Sequence, residues 1–146
     1  MRDALIVSTA RTPLTKSSRG TFNNTPAPTM AGWAIKEAVK RSGVDPEKVD
    51  DVIMGAALQQ GTQHCNVARN AALAAGLPVT VSGMTLDRQC SSGMMAIATA
   101  AKQIISDGMD VAVGGGLDSI SLVQTEKMNL DRWVDKNLIA KHKHIY

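Results

Sequence analysis

Short β-like runs alternate with helical ones from Ala4 to Leu117, and this alternation restricts the fold more than any other property of the chain. Ala4-Leu5-Ile6-Val7-Ser8 reads as a buried strand, ended by Arg11-Thr12-Pro13. Leu14 to Thr29, broken by Gly20, Pro26 and Pro28, reads as a polar loop. Met30 to Arg41 carries Ala31, Ala34, Ile35, Ala38 and Val39 on one helical face, with Gly43 as the stop signal. Asp51 to Ala57 is the second strand. Thr62 to Ala75 reads as an Ala-rich helix capped by Thr62 and terminated by Gly76-Leu77-Pro78. Val79 to Leu86 is a third strand, Ser91 to Asp107 a third helix, and Val111-Ala112-Val113 a fourth strand closed by Gly114-Gly115-Gly116. Repeated strand–helix units of this kind predict an α/β fold with layered helices around a mostly parallel, mixed sheet. The strands are continuous apolar runs, as in sheets covered on both faces. After Ser119 the pattern changes, so residues 1–118 are expected to form one domain and residues 119–146 to open a second region that is cut off.

Composition narrows the class further. The 146 residues match one ordinary domain, and 44% apolar with 20% charged residues argues against wholesale disorder. Phe22, Trp33, Trp133 and Tyr146 are the four aromatics, so Ala, Val, Ile, Leu and eight Met must build the core. Met84, Met94, Met95 and Met109 read as core filler. No apolar run approaches the roughly 20 residues needed to span a bilayer. Met1-Arg2-Asp3 does not begin a secretory signal. A cytoplasmic protein with no membrane partner is expected.

The net charge of +3 is local. Acidic and basic side chains balance over residues 1–126. The excess comes from Lys127, Arg132, Lys136, Lys141 and Lys143 against Asp131 and Asp135. A neutral body with a basic end is not a nucleic-acid footprint, which needs Lys and Arg clustered on one face. Lys141, His142 and Lys143 read as a solvated charge run, with contact to a phosphate as the rival reading.

Two cysteines, Cys65 and Cys90, stand in a chain with no export signal, so a disulfide is not expected. Together with His64, His142 and His144 they lack zinc-ligand spacing, and no metal site is expected. Cys90 follows the strand ending at Leu86 and precedes a helix beginning near Ser91. At a helix N-terminus, unpaired N–H groups and the dipole stabilise an anion, which favours a thiolate nucleophile and a nearby oxyanion. Gly93 removes a side chain just beyond it. The residues alone leave two readings open, a nucleophile and a buried cysteine that begins an ordinary helix. Cys65 reads as a packing or helix-start residue, and His64 as a polar helix-end residue rather than a ligand. Gly114-Gly115-Gly116 lacks the spacing of a phosphate loop and reads as a strand end where backbones pass closely near Cys90.

Arg88-Gln89-Cys90-Ser91-Ser92-Gly93 resembles the acyl-accepting cysteine motif of the thiolases, the acetyl-CoA acetyltransferases and 3-oxoacyl-CoA thiolases. Val7-Ser8-Thr9-Ala10-Arg11-Thr12-Pro13, with Gly20-Thr21-Phe22 after it, is similar to the first strand and turn of that family. Gly76-Leu77-Pro78 resembles the segment before its third strand, and Gly114-Gly115-Gly116-Leu117-Asp118-Ser119-Ile120-Ser121 the segment closing its N-terminal domain. Asp87 stands where Asn is usual, Asp118 where Glu is usual and Ile120 where Met is usual. A carboxylate at Asp87 opposes thiolate formation unless it is paired, with Arg88 as the candidate partner.

The resemblance implies a thiolase-like N-terminal domain with Cys90 as the catalytic acyl acceptor, its backbone N–H contributing to an oxyanion hole. It implies acyl-CoA and CoA as substrates, no permanently bound cofactor, and an oligomer. It assigns no cofactor-binding residue here. The family's Gly-His-Pro histidine and Cys-x-Gly cysteine are absent from the sequence. The chain is therefore expected to cover the first third of a thiolase, with residues 119–146 as the start of a truncated loop domain, and to need a complementary C-terminal half. The alternative is a non-catalytic assembly module or split subunit. A ketoacyl synthase is disfavoured by the Arg-Gln-Cys-Ser-Ser-Gly and Gly-Gly-Leu-Asp-Ser segments.

Overall fold

A computed structural model describes residues 2–131, 133–142 and 144. Its regular elements begin with helix α1, Ala27–Ser42, and strand β1, Asp51–Gly55. Helix α2, Val67–Ala74, strand β2, Ser82–Leu86, helix α3, Ser92–Ser106, and strand β3, Ala112–Gly116, complete the repeating units. Two short helices follow, α4, Ile120–Val123, and α5, Lys136–Lys141. The described strands form one parallel sheet in the order β2-β1-β3. Gly55 at the end of β1 is in register with Leu86 of β2 and Gly116 of β3, so the three strands finish together.

Central β1 is buried throughout, and its alternation sorts two apolar layers. Val52 and Met54 pack with Ala31, Ile35 and Val39 of α1 and Ala68, Ala71 and Ala72 of α2. Ile53, on the opposite face, packs with Ala96 and Ala100 of α3. The alanines let the helices lie close to the sheet, which the small supply of large side chains requires. The outer face of α3 exposes Met94, Ile97 and Ile105.

Several boundaries differ from the sequence reading, each for a local reason. Ala4 to Ser8 is not a strand: Leu5, Ile6 and Val7 are 77%, 79% and 69% exposed. Arg2 ties its start to Asp110 and the Gly108 carbonyl, and Arg41 donates to the Thr9 carbonyl at 3.0 Å, but no ladder joins it to β3. Without ladder partners, β-branched residues do not make a strand. Helix α1 starts at Ala27 rather than Met30, because Pro28 falls in its first turn, where a missing N–H costs nothing. Its end at Gly43, in the left-handed region with φ 70°, agrees with the expected stop.

The Thr62–Ala75 helix is shorter than expected. Gly61–Gln63 forms a single 3₁₀ turn, and Cys65 and Asn66 then adopt positive φ of 52° and 55°, which a right-handed helix excludes. Asn66, not Thr62, caps α2, its side chain accepting from Arg69 N–H at 3.4 Å. The third strand begins at Ser82 instead of Val79, and Gly114 to Gly116 belong to β3 itself rather than closing it.

Candidate active site

The site is built where the three strands end. After Leu86, the chain turns through Asp87 to Ser91 and enters α3 at Ser92. The Asp87 carboxylate accepts from Gln89 N–H at 2.7 Å, an Asx turn that holds Gln89 at φ 51°. Ser92, 3% exposed, closes the turn from the other side. Its hydroxyl accepts from Arg88 N–H at 2.7 Å and donates to the Gln89 carbonyl at 2.6 Å. Ser91 and Ser92 N–H groups add bonds to Arg88 and Gln89 carbonyls at 3.1 and 3.0 Å. Cys90 sits at the crest of this turn, exposed, immediately before Ser91, which holds the N-cap position of α3 without a side-chain capping bond.

Glycines bring α3 down onto the strand ends. A Cβ on Gly55 would overlap the Ser92 carbonyl, and one on Gly116 would lie 2.8 Å from Gly93 Cα. Only bare backbone permits this approach, which holds the first turn of α3 against β1 and β3. The result is a cleft of about 460 Å³. Its walls include Cys90, Gln89, Gly93 and Met54, the β3 exit from Gly116 to Ser121, and the Ala10–Thr15 segment.

The expected Asp87–Arg88 pair does not form. Asp87 is spent on the Gln89 N–H, and the Arg88 guanidinium turns to the Met95 sulfur at 3.8 Å. Cys65 is neither core packing nor helix: it is exposed in the left-handed turn before α2, with Sγ 2.6 Å from His64 Nδ1. His64 ends the 3₁₀ turn, and neither residue lines the cleft. Among the described residues, no group of three or more His, Cys, Asp or Glu could hold a metal ion. Lys141 and His142 are exposed and do not line the cleft. Lys143, Arg132 and Tyr146 lie outside the described residues.

Sequence reasoning passed over two residues that shape this site. Ser92 carried a signal, since a hydroxyl four residues after Arg88 can reach back across the turn. Gln63 carried none. It is 1% exposed, and its carboxamide joins the loop after β1 to the exit of β3. Nε2 donates to the Leu58 carbonyl at 2.8 Å and the Asp118 carboxylate at 3.0 Å, and Oε1 accepts from Ser119 N–H.

Residues 4–144 match the family described as Thiolase, N-terminal domain. The chain is 41% identical over 123 residues to a 3-ketoacyl-CoA thiolase of Bacillus subtilis, covering 84% of this chain and 32% of the relative. It is 42% identical over 121 residues to an acetyl-CoA acetyltransferase of Cupriavidus necator, covering 83% and 30%. The crystal structure of the Bacillus anthracis acetyl-CoA acetyltransferase superimposes with a TM-score of 0.82 at 41% identity, covering 93% of this chain and 34% of that one. The chain thus spans about a third of the length of the curated relatives it matches.

Proposed function

The chain belongs to the thiolase family, in its N-terminal domain, and from that premise we propose that Cys90 is the acyl-accepting nucleophile of a CoA-dependent acyltransferase. One observation carries this reading. The cleft formed by the strand ends, the β3 exit and the first turn of α3 has Cys90 as its thiol among the described residues that line it.

The proposed chemistry is a ping-pong cycle. The Cys90 thiolate attacks the carbonyl of an acyl-CoA, forming a C–S bond and a tetrahedral oxyanion. Cys90 N–H and the positive end of α3 support that oxyanion. Collapse expels CoA as a thiolate, which takes up a proton, and leaves a thioester on Cys90. The carbanion of a second acyl-CoA, formed by loss of a Cα proton to a base, then attacks this thioester. A 3-oxoacyl-CoA leaves and the Cys90 thiolate returns. Run backwards, the same steps cleave 3-oxoacyl-CoA with CoA.

Each condensation needs a base for the Cα proton, and the described lining residues include no histidine and no second cysteine. In this reading a complementary C-terminal half supplies those groups and covers the apolar outer face of α3. Residues 119–146 then begin the loop domain of the whole enzyme. An oligomeric, cytoplasmic enzyme of lipid metabolism is proposed with it; no described helix is long and apolar enough to cross a membrane.

The test is incubation of the completed assembly with acetyl-CoA, followed by peptide mass spectrometry. An acetyl thioester on the Cys90 peptide and none on Cys65 is expected. Acetyl on Cys65, or on neither, overturns the assignment.

A further inference from the structure

We propose that Gln63 is a positioning residue of the acyl-transfer site, its carboxamide setting the wall of the cleft that faces Cys90. The inference rests on the proposed role of Cys90. Leu117, Asp118 and Ser119 leave β3 and line the same cleft as Cys90. They are held through the backbone N–H of Leu117 and Ser119 and the side-chain carboxylate of Asp118. Leu117 N–H donates to the Gly55 carbonyl at 3.0 Å. Asp118 accepts from Ala57 N–H at 3.3 Å and from Gln63 Nε2 at 3.0 Å. Ser119 N–H donates to Gln63 Oε1.

Gln63 therefore makes two of the hydrogen bonds that hold this wall, both from one buried side chain. Its amide orientation is determined by its partners. Nε2 faces two acceptors, the Leu58 carbonyl and the Asp118 carboxylate, while Oε1 faces a donor. No other common side chain of this length presents a donor and an acceptor in that arrangement. A glutamate would keep the bond to Ser119 but set a second carboxylate against Asp118. Two carboxylates in contact disfavour ionisation of both, so such a pair shares a proton as pH falls.

The helices packed against the Gly61–Gln63 turn are α1 and α4, and α4 has no titratable residue. Helix α1 meets the turn through Ala27 N–H on Thr62 Oγ1 and carries Lys36, Glu37, Lys40 and Arg41 in its C-terminal half. Arg11 lines the cleft with Asp118. His64, next in the chain, has its ring against Cys65. Asp118 is the titratable group that Gln63 itself bonds, and on it Gln63→Glu must act.

The experiment uses the chain in the completed assembly. It follows two rates at Cys90 between about pH 5.5 and about pH 8: acetylation by acetyl-CoA, and alkylation by iodoacetamide with Cys65 as internal reference. Gln63→Glu is expected to slow acetylation about tenfold or more near pH 8, the scale of a lost buried hydrogen bond to a charged group. The deficit should shrink toward pH 5.5, as a protonated Glu donates to Asp118. In the double variant Gln63→Glu with Asp118→Asn, an amide again faces a carboxylate with roles exchanged. Part of the rate should return, the Leu58 carbonyl staying without its donor, and the added pH dependence should disappear. A pH profile for Gln63→Glu parallel to that of the unsubstituted chain, or a double variant as slow and as pH-dependent as the single one, overturns the proposal. If Gln63→Glu fails to fold near pH 8, the double variant still decides it. Should the unsubstituted assembly take no acetyl group, the acyl-transfer reading fails. The alkylation arm then tests Gln63 independently, with the same pH-dependent change and the same rescue expected.

Discussion

Gly116, the last residue of β3, lies directly on Gly93, in the first turn of α3, so closely that a Cβ on Gly116 would come within 2.8 Å of Gly93 Cα. This contact fixes the height of the Cys90 turn above the sheet. Backbone meets backbone there, so no rotamer change can relieve an added methyl.

Gly116→Ala should therefore push α3 away from the strand ends and widen the cysteine turn. Overpacking of this kind costs about 1–3 kcal/mol. Urea unfolding of the completed assembly is the measure, with slower Cys90 acetylation accompanying it. An alanine variant with unchanged midpoint and rate would show that α3 is not held by this contact.

Ser92→Ala tests the turn from inside. It leaves Arg88 N–H without its partner and removes the donor to the Gln89 carbonyl. A part-buried hydrogen bond of this kind contributes about 0.5–1.5 kcal/mol. We expect a loss of that size in unfolding free energy and faster amide exchange at Arg88. Unchanged exchange there would mean that the Asp87 Asx turn alone holds the crest.

The chain by itself should not cleave acetoacetyl-CoA detectably, and adding the complementary half should restore activity. General acid–base groups contribute about 10²–10⁴-fold each, and the described lining residues include no histidine and no second cysteine. In the restored assembly, Cys90→Ser should leave at most a trace, because an alkoxide is far harder to form than a thiolate. Cys65→Ala should leave turnover unchanged. Robust CoA-dependent cleavage by the 146-residue chain alone would refute the need for a partner.

At the opposite end of the sheet, the Arg2 guanidinium beside Asp110 holds its carboxyl below the ordinary aspartate value, first through a hydrogen bond and then through charge. A lowered folded value means that the contribution is present above the unfolded value and fades as pH falls through the folded one. The loss thus belongs to the acid range, below about pH 4. Both side chains are solvent-exposed, so the effect on stability should be small and salt-sensitive. Carboxyl chemical shifts followed by NMR should show Asp110 titrating at lower pH than in Arg2→Ala. Coincident curves would remove the pair from the solution structure.

Local spacing made much of the fold legible. Gly43 and Gly76 stop helices where their left-handed φ requires, and the apolar face of α3 follows from its periodicity. Cys90 before α3 was readable for the same reason, since strand, turn and helix start are neighbours in sequence. The Ala4–Ser8 run shows where this stops. Its composition is that of a strand, yet strand formation depends on a ladder partner that composition does not supply. The break at Cys65 and Asn66 was hidden too, because Asn66 makes its bonds to Gly83 and Thr85 only when β2 lies alongside.

By itself the sequence determined the strand–helix succession from α1 onward, the helix stops and the cysteine turn, all set by residues within a few positions of one another. Tertiary structure alone decided that Gly116 rests on Gly93 and that Gln63 clasps Asp118, 55 residues away. Those contacts arise when parallel strands finish in register, and no periodicity in the chain encodes which distant residues then meet.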